Sequence, residues 1–327
     1  MSAPYTVDIV VYPGFKALEA IGPMSVFDYA NVHLARRGQP PGYAVSVAAE
    51  GLGDVPSDTA MSLRATRQLG QGPDPHIALV VGSRDIETAL AASPGVVAWA
   101  AATAPRVRHM VALCSGSFFL GAAGLLDGAQ AATHWSVADL LQRRFPSVRV
   151  DADAIYVRSG NLWTSAGVTA GIDLALALVE EDFGRTLALE VARDLVMYLK
   201  RPGGQSQFSM HLASQGTRHP GIREVQAWVL SHLAESLPLQ QLASRAAMSE
   251  RNFRRVFLQE CGQSPSDFIE TARLEGARRL LEEQNGLPLK TVAARVGFRS
   301  DEPLRRLFLR RLGITPQAYR ERFGGPG

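Results

Sequence analysis

The sequence predicts two domains of different fold class, an α/β domain with an open, mostly parallel sheet and an all-α domain after it. Short apolar runs alternate with helical patterns through the first two hundred residues, and one helical pattern occurs twice in the last hundred. Charge also changes along the chain: from Arg218 onward 18 Lys and Arg oppose 12 Asp and Glu, whereas 16 oppose 19 before it. A length of 327 residues suffices for two cores.

Four short β-rich runs, each bounded by Gly, Pro or Asp, predict the main strands of the sheet. They are residues 6–12, 43–49, 77–82 and 109–114. Between them, segments such as 24–36 and 137–145 space their apolar residues at three and four, which is typical of helices. Because near-continuous apolar strands alternate with helices, we expect helices on both faces of the sheet. Ligands of such sheets bind beyond the carboxyl ends of the strands, so we expect a functional site there.

The strand that ends at Cys114 is followed by a small-residue turn, Ser115-Gly116-Ser117, that opens a helix. This is a nucleophile-elbow arrangement, in which N–H groups at the helix start and the positive end of its dipole would stabilise a thiolate. His134 directly follows another short strand, from which its ring could reach the same sheet edge. A Cys and a His together suit nucleophilic chemistry. We therefore predict a candidate site that contains Cys114, Ser115 and His134.

Further groups are expected at this edge. Gly82 and Ser83 follow the third strand and could offer backbone donors to an oxyanion, and Glu19 could place a carboxylate beside the thiol. A catalytic triad also needs a group that orients the histidine, for which the sequence leaves three alternatives: Asp127, Asp139 and Asp173. The residues support three hypotheses: a Cys-dependent hydrolase or hydratase, a ligand pocket on an enzyme-like scaffold, and a thiol redox sensor.

Residues 200–222 are rich in Gly, Ser, Gln and Pro without a sustained apolar period, so they predict a linker. The linker separates an N-terminal domain at 1–199 from a C-terminal domain at 223–327. Only two cysteines occur, Cys114 and Cys261, one in each domain, which indicates no disulfide framework and fits a reducing cytoplasm. Since there is no signal-peptide pattern and no apolar run of about 18 residues, we expect a soluble protein without a membrane partner.

The first helical unit of the C-terminal domain, which starts at Leu237, has the pattern of a helix-turn-helix. A short helix is followed by a tight turn at Ala247-Met248, and Ser249 is an N-cap for a second helix. That helix buries its apolar residues and turns its polar residues outward, where Arg can bridge guanine and Asn adenine. The predicted DNA contacts of this unit are Ser249, Glu250, Arg251, Asn252, Arg254 and Arg255.

The pattern recurs about fifty residues later, and both units open with Leu-Pro-Leu. Gly297 stands at the second turn, and Ser300 is the expected cap of the second recognition helix. The predicted DNA contacts of this unit are Ser300, Arg305, Arg306 and Arg310. The start of its helix differs, since Asp301 and Glu302 would repel phosphate and Pro303 takes a first-turn position. The sequence therefore favours the first unit as the reader of bases.

Between the two units, residues 265–284 predict a connecting helix. At about 1.5 Å per residue this helix is roughly 30 Å long, close to the ~34–36 Å between successive major-groove faces of B-DNA. One chain could therefore present two recognition helices to adjacent turns of one DNA duplex.

The strings ALCSGSFFLGAAGLLDGAQAATHW, TSAGVTAGIDLALALVEEDFG and KRPGGQSQF resemble the class I glutamine amidotransferase-like domain of the PfpI superfamily, over residues 5–208. More narrowly, they are similar to the version fused to AraC-type regulators, the GlxA-like group. The resemblance implies a flavodoxin-like α/β sandwich with Cys114 at the elbow and His134 nearby. In that group the domain usually serves as a ligand sensor and dimerisation module, so the resemblance implies a sensor more than an enzyme.

Residues 223–323 resemble the AraC/XylS DNA-binding domain, whose signature is similar to VGFRSDEPLRRLFLRRLGITPQAYRERF. The resemblance implies a transcription regulator, more often an activator than a repressor, that binds double-stranded promoter DNA as a homodimer. Its further partners would be RNA polymerase and a small-molecule effector such as an amino acid or another nitrogen metabolite. No cofactor and no metal are expected, and the protein would act in the bacterial cytoplasm.

Overall fold

The computed structural model describes residues 3–199, 205, 217, 219–284 and 286–323. The chain divides into two compact units, Met1–Arg201 and Pro202–Gly327. Most of the linker predicted at 200–222 lies outside the described residues. The next helix begins at Pro220, so residues 220–222, predicted as the end of the linker, are helical instead. Within the described part of the chain, no helix is both long and apolar enough to cross a membrane.

The strands of the first unit are, in chain order, β1 (Tyr5–Val10), β2 (Tyr43–Ala49), β3 (Gly53–Pro56), β4 (Ser62–Ala65), β5 (Arg67–Gln68), β6 (Ile77–Val80), β7 (His109–Leu113), β8 (Gln130–Ala132), β9 (Arg149–Asp151), β10 (Tyr156–Ser159) and β11 (Leu162–Ser165). Seven of them form the main sheet, in the spatial order β10-β11-β7-β6-β1-β2-β5. Every pairing in this sheet is parallel except that of β10 with β11. The central strands β6 and β7 are buried throughout, because apolar side chains fill nearly all their positions. The predicted open, mostly parallel sheet is confirmed.

The helices of the first unit are α1 (Ala17–Arg36), α2 (Ile86–Ala92), α3 (Pro94–Thr103), α4 (Ser117–Ala122), α5 (Ala138–Arg144), α6 (Ala170–Phe183) and α7 (Arg185–Asp194). Helices α1, α6 and α7 pack together in one group, and α2, α3 and α4 pack in another. This arrangement is the flavodoxin-like α/β fold that the sequence predicts.

Helix α1 begins earlier than predicted. The pattern placed its start at residue 24, whereas it begins at Ala17 and contains Pro23. A Pro is favoured in a first turn, so the sequence resembles a helix start at that point. The turn before Pro23 packs closely against α6, which favours the helix there. The contact is so close that a Cβ at Gly22 would lie 2.9 Å from Cγ1 of Ile172. The earlier start places Lys16 at the N-cap and Glu19 in the first turn.

The carboxyl ends of the central parallel strands lie at one edge of the sheet. Val80 pairs with Ala112 across β6 and β7, and Ser165 pairs with Leu113 across β11 and β7. The segments that follow these strands, together with the segment after β1, therefore leave the sheet side by side. We call this the strand-end site.

All the secondary-structure elements described in the second unit are helices. Its helices are α8 (Pro220–Ser231), α9 (Leu239–Arg245), α10 (Glu250–Cys261), α11 (Pro265–Glu283), α12 (Leu289–Arg295), α13 (Asp301–Leu312) and α14 (Pro316–Phe323). Two apolar clusters form its cores, one around Phe253 and Phe257 and the other around Phe308. Helix α11 contributes to both, with Phe268 in the first cluster and Leu281 in the second.

The two helix-turn-helix units have the same backbone plan. Helices α9 and α12 have seven residues each, and the recognition helices α10 and α13 have twelve. Both turns contain a residue with positive φ, Ala247 at 54° and Gly297 at 85°. Both recognition helices end at a glycine in the left-handed region, Gly262 at 68° and Gly313 at 69°. The predicted sequence repeat is a structural repeat.

Candidate ligand site and nucleic-acid interface

Cys114 lies on a sharp turn at the end of β7. Its φ is 54°, in the left-handed region that a residue other than Gly rarely adopts. The turn is pressed against the neighbouring strand, since a Cβ at Gly116 would lie 2.5 Å from the carbonyl oxygen of Val80. The predicted elbow geometry is confirmed, although Cys114 itself is fully buried.

Two charged side chains from the start of α1 lie beside the thiol. The ammonium of Lys16 donates to Sγ of Cys114 at 3.0 Å and lies 3.4 Å from Oε1 of Glu19. Oε2 of Glu19 accepts a hydrogen bond of 2.6 Å from the backbone N–H of Gly82. The structure thus brings Glu19 into the site as predicted. It also places Lys16 in the site, which the sequence analysis missed. The sequence could have indicated Lys16 only by its place between β1 and α1, three residues before Glu19.

The backbone donors predicted for an oxyanion are already occupied. The N–H of Gly82 donates to Glu19, and the N–H of Ser83 donates to Oγ of Ser115 at 2.9 Å. The Ser115 hydroxyl in turn donates to the carbonyl oxygen of Ser83 at 2.8 Å. In this arrangement neither N–H group can stabilise an oxyanion, so the prediction for Gly82 and Ser83 as donors is wrong. Their role is to join the loop after β6 to the elbow.

His134 lies at the site but makes no hydrogen bond with Cys114 among the described residues. The connection between them is indirect: Oγ1 of Thr133 donates to the carbonyl oxygen of Cys114 at 2.9 Å. Nδ1 of His134 accepts from the backbone N–H of Ser136 at 3.2 Å and lies 2.7 Å from its Oγ. The position of a triad carboxylate is therefore taken by a serine.

None of the three aspartates considered as the orienting group is bonded to His134 in the described structure. Asp127 and Asp139 are exposed, and Asp173 is buried in the first turn of α6. No group of three or more metal-ligating side chains occurs among the residues that the structure describes.

Burial controls the electrostatics of the strand-end site. It raises the pKa of Cys114 to about 12, with a further rise from the Glu19 charge and an opposing effect of Lys16. Burial also raises the pKa of Glu19. The pKa of His134 is lowered, first by burial and then by the Lys16 charge. At neutral pH the site therefore holds a protonated thiol and a neutral imidazole, and the expected stabilisation of a thiolate is not found.

The first recognition helix, α10, presents its polar side chains to solvent as predicted. Ser249 caps the helix by accepting from the N–H of Asn252 at 3.4 Å. Arg255 donates to Oδ1 of Asn252 at 2.8 Å, which fixes both side chains on the helix surface. Arg251 and Arg254 are exposed and have no ion-pair partner in the described part of the chain. With Glu250 in its first turn, α10 carries two arginines that are free to bind phosphate or base edges.

In the second recognition helix, α13, each predicted arginine is paired with a carboxylate. Nε of Arg305 lies 3.0 Å from Asp301, and Nε of Arg306 lies 3.6 Å from Glu302. Arg310 lies 2.8 Å from Oε2 of Glu270, a residue of α11. Ser300 occupies the N-cap position, but its side chain makes no capping hydrogen bond. Ser300 therefore has the predicted N-cap position, but the predicted side-chain cap does not form: its backbone has φ −149° and ψ 171°, whereas Ser249, which caps α10, has φ −68° and ψ 151°.

Two family models match the chain. The DJ-1/PfpI family model matches residues 5–181, and a helix-turn-helix domain model matches residues 242–322. A solved structure of a THiJ/PfpI family protein from Pseudomonas syringae is 31% identical and superposes with a TM-score of 0.53. That superposition covers 61% of this chain and 77% of the other.

Curated relatives align with different shares of the chain. The transcriptional regulator CdhR of Pseudomonas aeruginosa is 27% identical over 95% of this chain and 90% of its own. The transcriptional regulator GbdR of P. aeruginosa is 31% identical over 67% of this chain, an alignment that spans 59% of GbdR. Isonitrile hydratase of Pseudomonas putida is 31% identical over 54% of this chain and 72% of its own.

The fold and the two recognition helices define the class of helix-turn-helix proteins with an α/β domain of the DJ-1 type. The chain belongs to the DJ-1/PfpI family, in the GlxA-like group whose members carry an AraC-type helix-turn-helix domain. The predicted resemblance is confirmed.

Proposed function

We propose that the protein is a transcription regulator that binds double-stranded promoter DNA in a sequence-specific manner. The observation that carries this proposal is the exposed helix α10, on which Arg251 and Arg254 are unpaired within the described structure. The proposal is supported by CdhR, a named regulator that aligns along nearly the whole chain. Because its partner would be chromosomal DNA, the protein would act in the bacterial cytoplasm.

The test is binding of the full chain to a pool of random-sequence DNA duplexes, followed by selection of the bound molecules. A shared sequence should be enriched and bound about 10³-fold tighter than random duplex, or more. The affinity should also fall steeply with salt, since bound arginines displace counterions. Equal affinity for all duplexes, or no dependence on salt, would contradict the proposal.

We also propose that the first unit is a small-molecule sensor at the strand-end site and that the protein acts as a homodimer, by activation through RNA polymerase. The relation to named regulators supports this assignment. Two tests apply: the mass of the full chain in solution, and transcription in vitro from a selected DNA site with RNA polymerase present. A monomer that leaves transcription unchanged would contradict this assignment.

A second candidate function is a Cys114-dependent enzyme, which the 31% identity to isonitrile hydratase favours. The geometry weighs against it, because a thiol with a pKa of about 12 has little thiolate and His134 does not contact it. The same protonated state weighs against a peroxide sensor, since the thiolate is the form that oxidises.

Alkylation of Cys114 by iodoacetamide distinguishes these functions. At pH 8 a thiol with a pKa of about 12 has roughly 10³-fold less thiolate than one with the usual value near 8.5. We therefore expect alkylation at least that much slower than for a free thiol, and a rate that still rises with pH above 10. Rapid alkylation at neutral pH, with turnover that Cys114→Ser abolishes, would favour the enzyme. A peroxide effect on DNA binding that Cys114→Ser abolishes would favour the redox sensor.

A further inference from the structure

The strand-end site has few donors left for a ligand. The N–H groups of Gly82 and Ser83 are bonded to Glu19 and Ser115. The ammonium of Lys16 has three N–H donors and contacts two groups, Cys114 and Glu19. One donor of Lys16 therefore remains for a ligand, and 16% of its side chain is exposed to solvent, whereas Cys114 is fully buried.

A second donor is Nε2 of His134. Because the backbone N–H of Ser136 donates to Nδ1, that nitrogen carries the lone pair, and the proton of the neutral ring lies on Nε2. Burial, and after it the Lys16 charge, lowers the pKa of His134, which favours this neutral form of the ring. Lys16 and His134 thus offer two N–H donors from neighbouring segments.

Gly167 holds the imidazole in place. It follows β11, the strand next to β7, and a Cβ there would lie 2.1 Å from Cδ2 of His134 and 2.8 Å from Nε2. Any side chain at 167 would displace the ring. The missing Cβ therefore allows the Nε2 end of His134 to lie at the carboxyl end of the sheet.

We propose that the strand-end site binds a carboxylate, with its oxygens accepting from Nζ of Lys16 and Nε2 of His134. This inference deepens the sensor role and rests on it. Two N–H donors, one of them on the ammonium of Lys16, match the two acceptor oxygens of a carboxylate. Glu19 is fully buried, and its oxygens lie against one donor of Lys16 and the N–H of Gly82, so it leaves the remaining Lys16 donor to the ligand. The ligand is held without a covalent bond, since the buried Cys114 thiol is protonated.

The test is the thermal shift of the full chain with paired probes. The probes are the twenty standard L-amino acids and the straight-chain acids from acetate to hexanoate, each beside its own carboxamide. We expect at least one acid to raise the melting temperature, and its uncharged amide to bind at least tenfold more weakly. No shift with any acid, or equal binding of acid and amide, would overturn the proposal.

Substitutions of Lys16 and His134 test whether these side chains donate to the carboxylate. Lys16→Gln and His134→Gln should each weaken binding of the acid at least tenfold, whereas Lys16→Arg should restore much of it. Arg84→Gln is the matched control, because Arg84 follows Ser83 but is 72% exposed and paired with Asp58. If Lys16→Gln does not fold, His134→Gln carries the same test. Parent-like binding in both Gln variants would overturn the assignment, and DNA binding measured on the same samples would show separately whether the regulator function stands.

Discussion

The two recognition helices have the same length and different use of charge. Helix α13 has four arginines and α10 has three, so a count of cations would favour the second unit for DNA binding. The ion pairs reverse that order, because Asp301, Glu302 and Glu270 neutralise arginines of α13. In α10, Glu250 corresponds to Asp301, but Arg251 stands where α13 has Glu302. A repeat of the backbone is therefore not a repeat of function.

These ion pairs are exposed, which limits their effect. Exposed pairs contribute at most about 1 kcal/mol each, so a phosphate can displace the carboxylate at small cost. The second unit should consequently still hold the DNA backbone, while the first unit supplies most of the affinity and the sequence preference.

The largest difference is expected for paired arginine removals. The double variant Arg251→Ala/Arg254→Ala should lose about 30-fold or more in DNA affinity, at about 1–3 kcal/mol for each contact. The double variant Arg305→Ala/Arg306→Ala of the second unit should lose less than about tenfold, because its arginines are partly neutralised. Fluorescence anisotropy with a selected duplex measures both, and the reverse order would remove the distinction between the units.

The two turns should differ in their tolerance of a methyl group. Gly297→Ala should destabilise the second unit by about 2 kcal/mol or more, since φ is 85° and the new Cβ would lie 2.2 Å from the carbonyl oxygen of Leu233. Ala247→Gly, the reverse change at φ 54°, should stay within about 1 kcal/mol of the parent. Hydrogen exchange of the full chain measures both, and equal effects would show that the turns are not constrained differently.

Removal of one carboxylate should make the second unit more like the first. Glu270→Gln releases Arg310 and removes one of the two carboxylates beside Arg311, which keeps Asp267. We expect DNA affinity to rise about two- to fivefold with a steeper salt dependence. Glu87→Gln is the control, because it makes the same change of charge at an exposed pair in the other unit. An equal gain in the control would mean that only net charge matters.

The smallest difference is expected at the helix caps. Ser249→Ala should cost about 0.5–1 kcal/mol, because its hydroxyl accepts from Asn252. Ser300→Ala should cost less than half as much, since its side chain makes no capping hydrogen bond. The hydrogen-exchange experiment that compares the turns also measures these variants. A larger cost at Ser300 would show that this cap forms in solution.

The sequence predicts the elements that depend on local pattern. The apolar runs indicate the parallel strands, the small residues after Cys114 indicate the elbow, and the repeated tripeptide indicates the two helical units. Positive φ at Gly297 also follows from its place at a turn. These features are set by residues close together in the chain, so one sequence is enough to find them.

Contacts between distant segments could not be predicted. Lys16 and Cys114 are 98 residues apart, and their contact depends on the start of α1 at Ala17. Arg310 and Glu270, which pair across two helices, are 40 residues apart. The high pKa of Cys114 follows from its burial, which is a property of the whole packed edge. Periodicity contains none of this information.

The most direct test of the central claim is the base preference of the full chain, measured by selection from random duplexes for the parent, Arg251→Ala and Arg305→Ala. We expect Arg251→Ala to lose preference at specific bases, and Arg305→Ala to retain the parent's preference with somewhat lower affinity. Loss of base preference in Arg305→Ala with an unchanged profile in Arg251→Ala would contradict it.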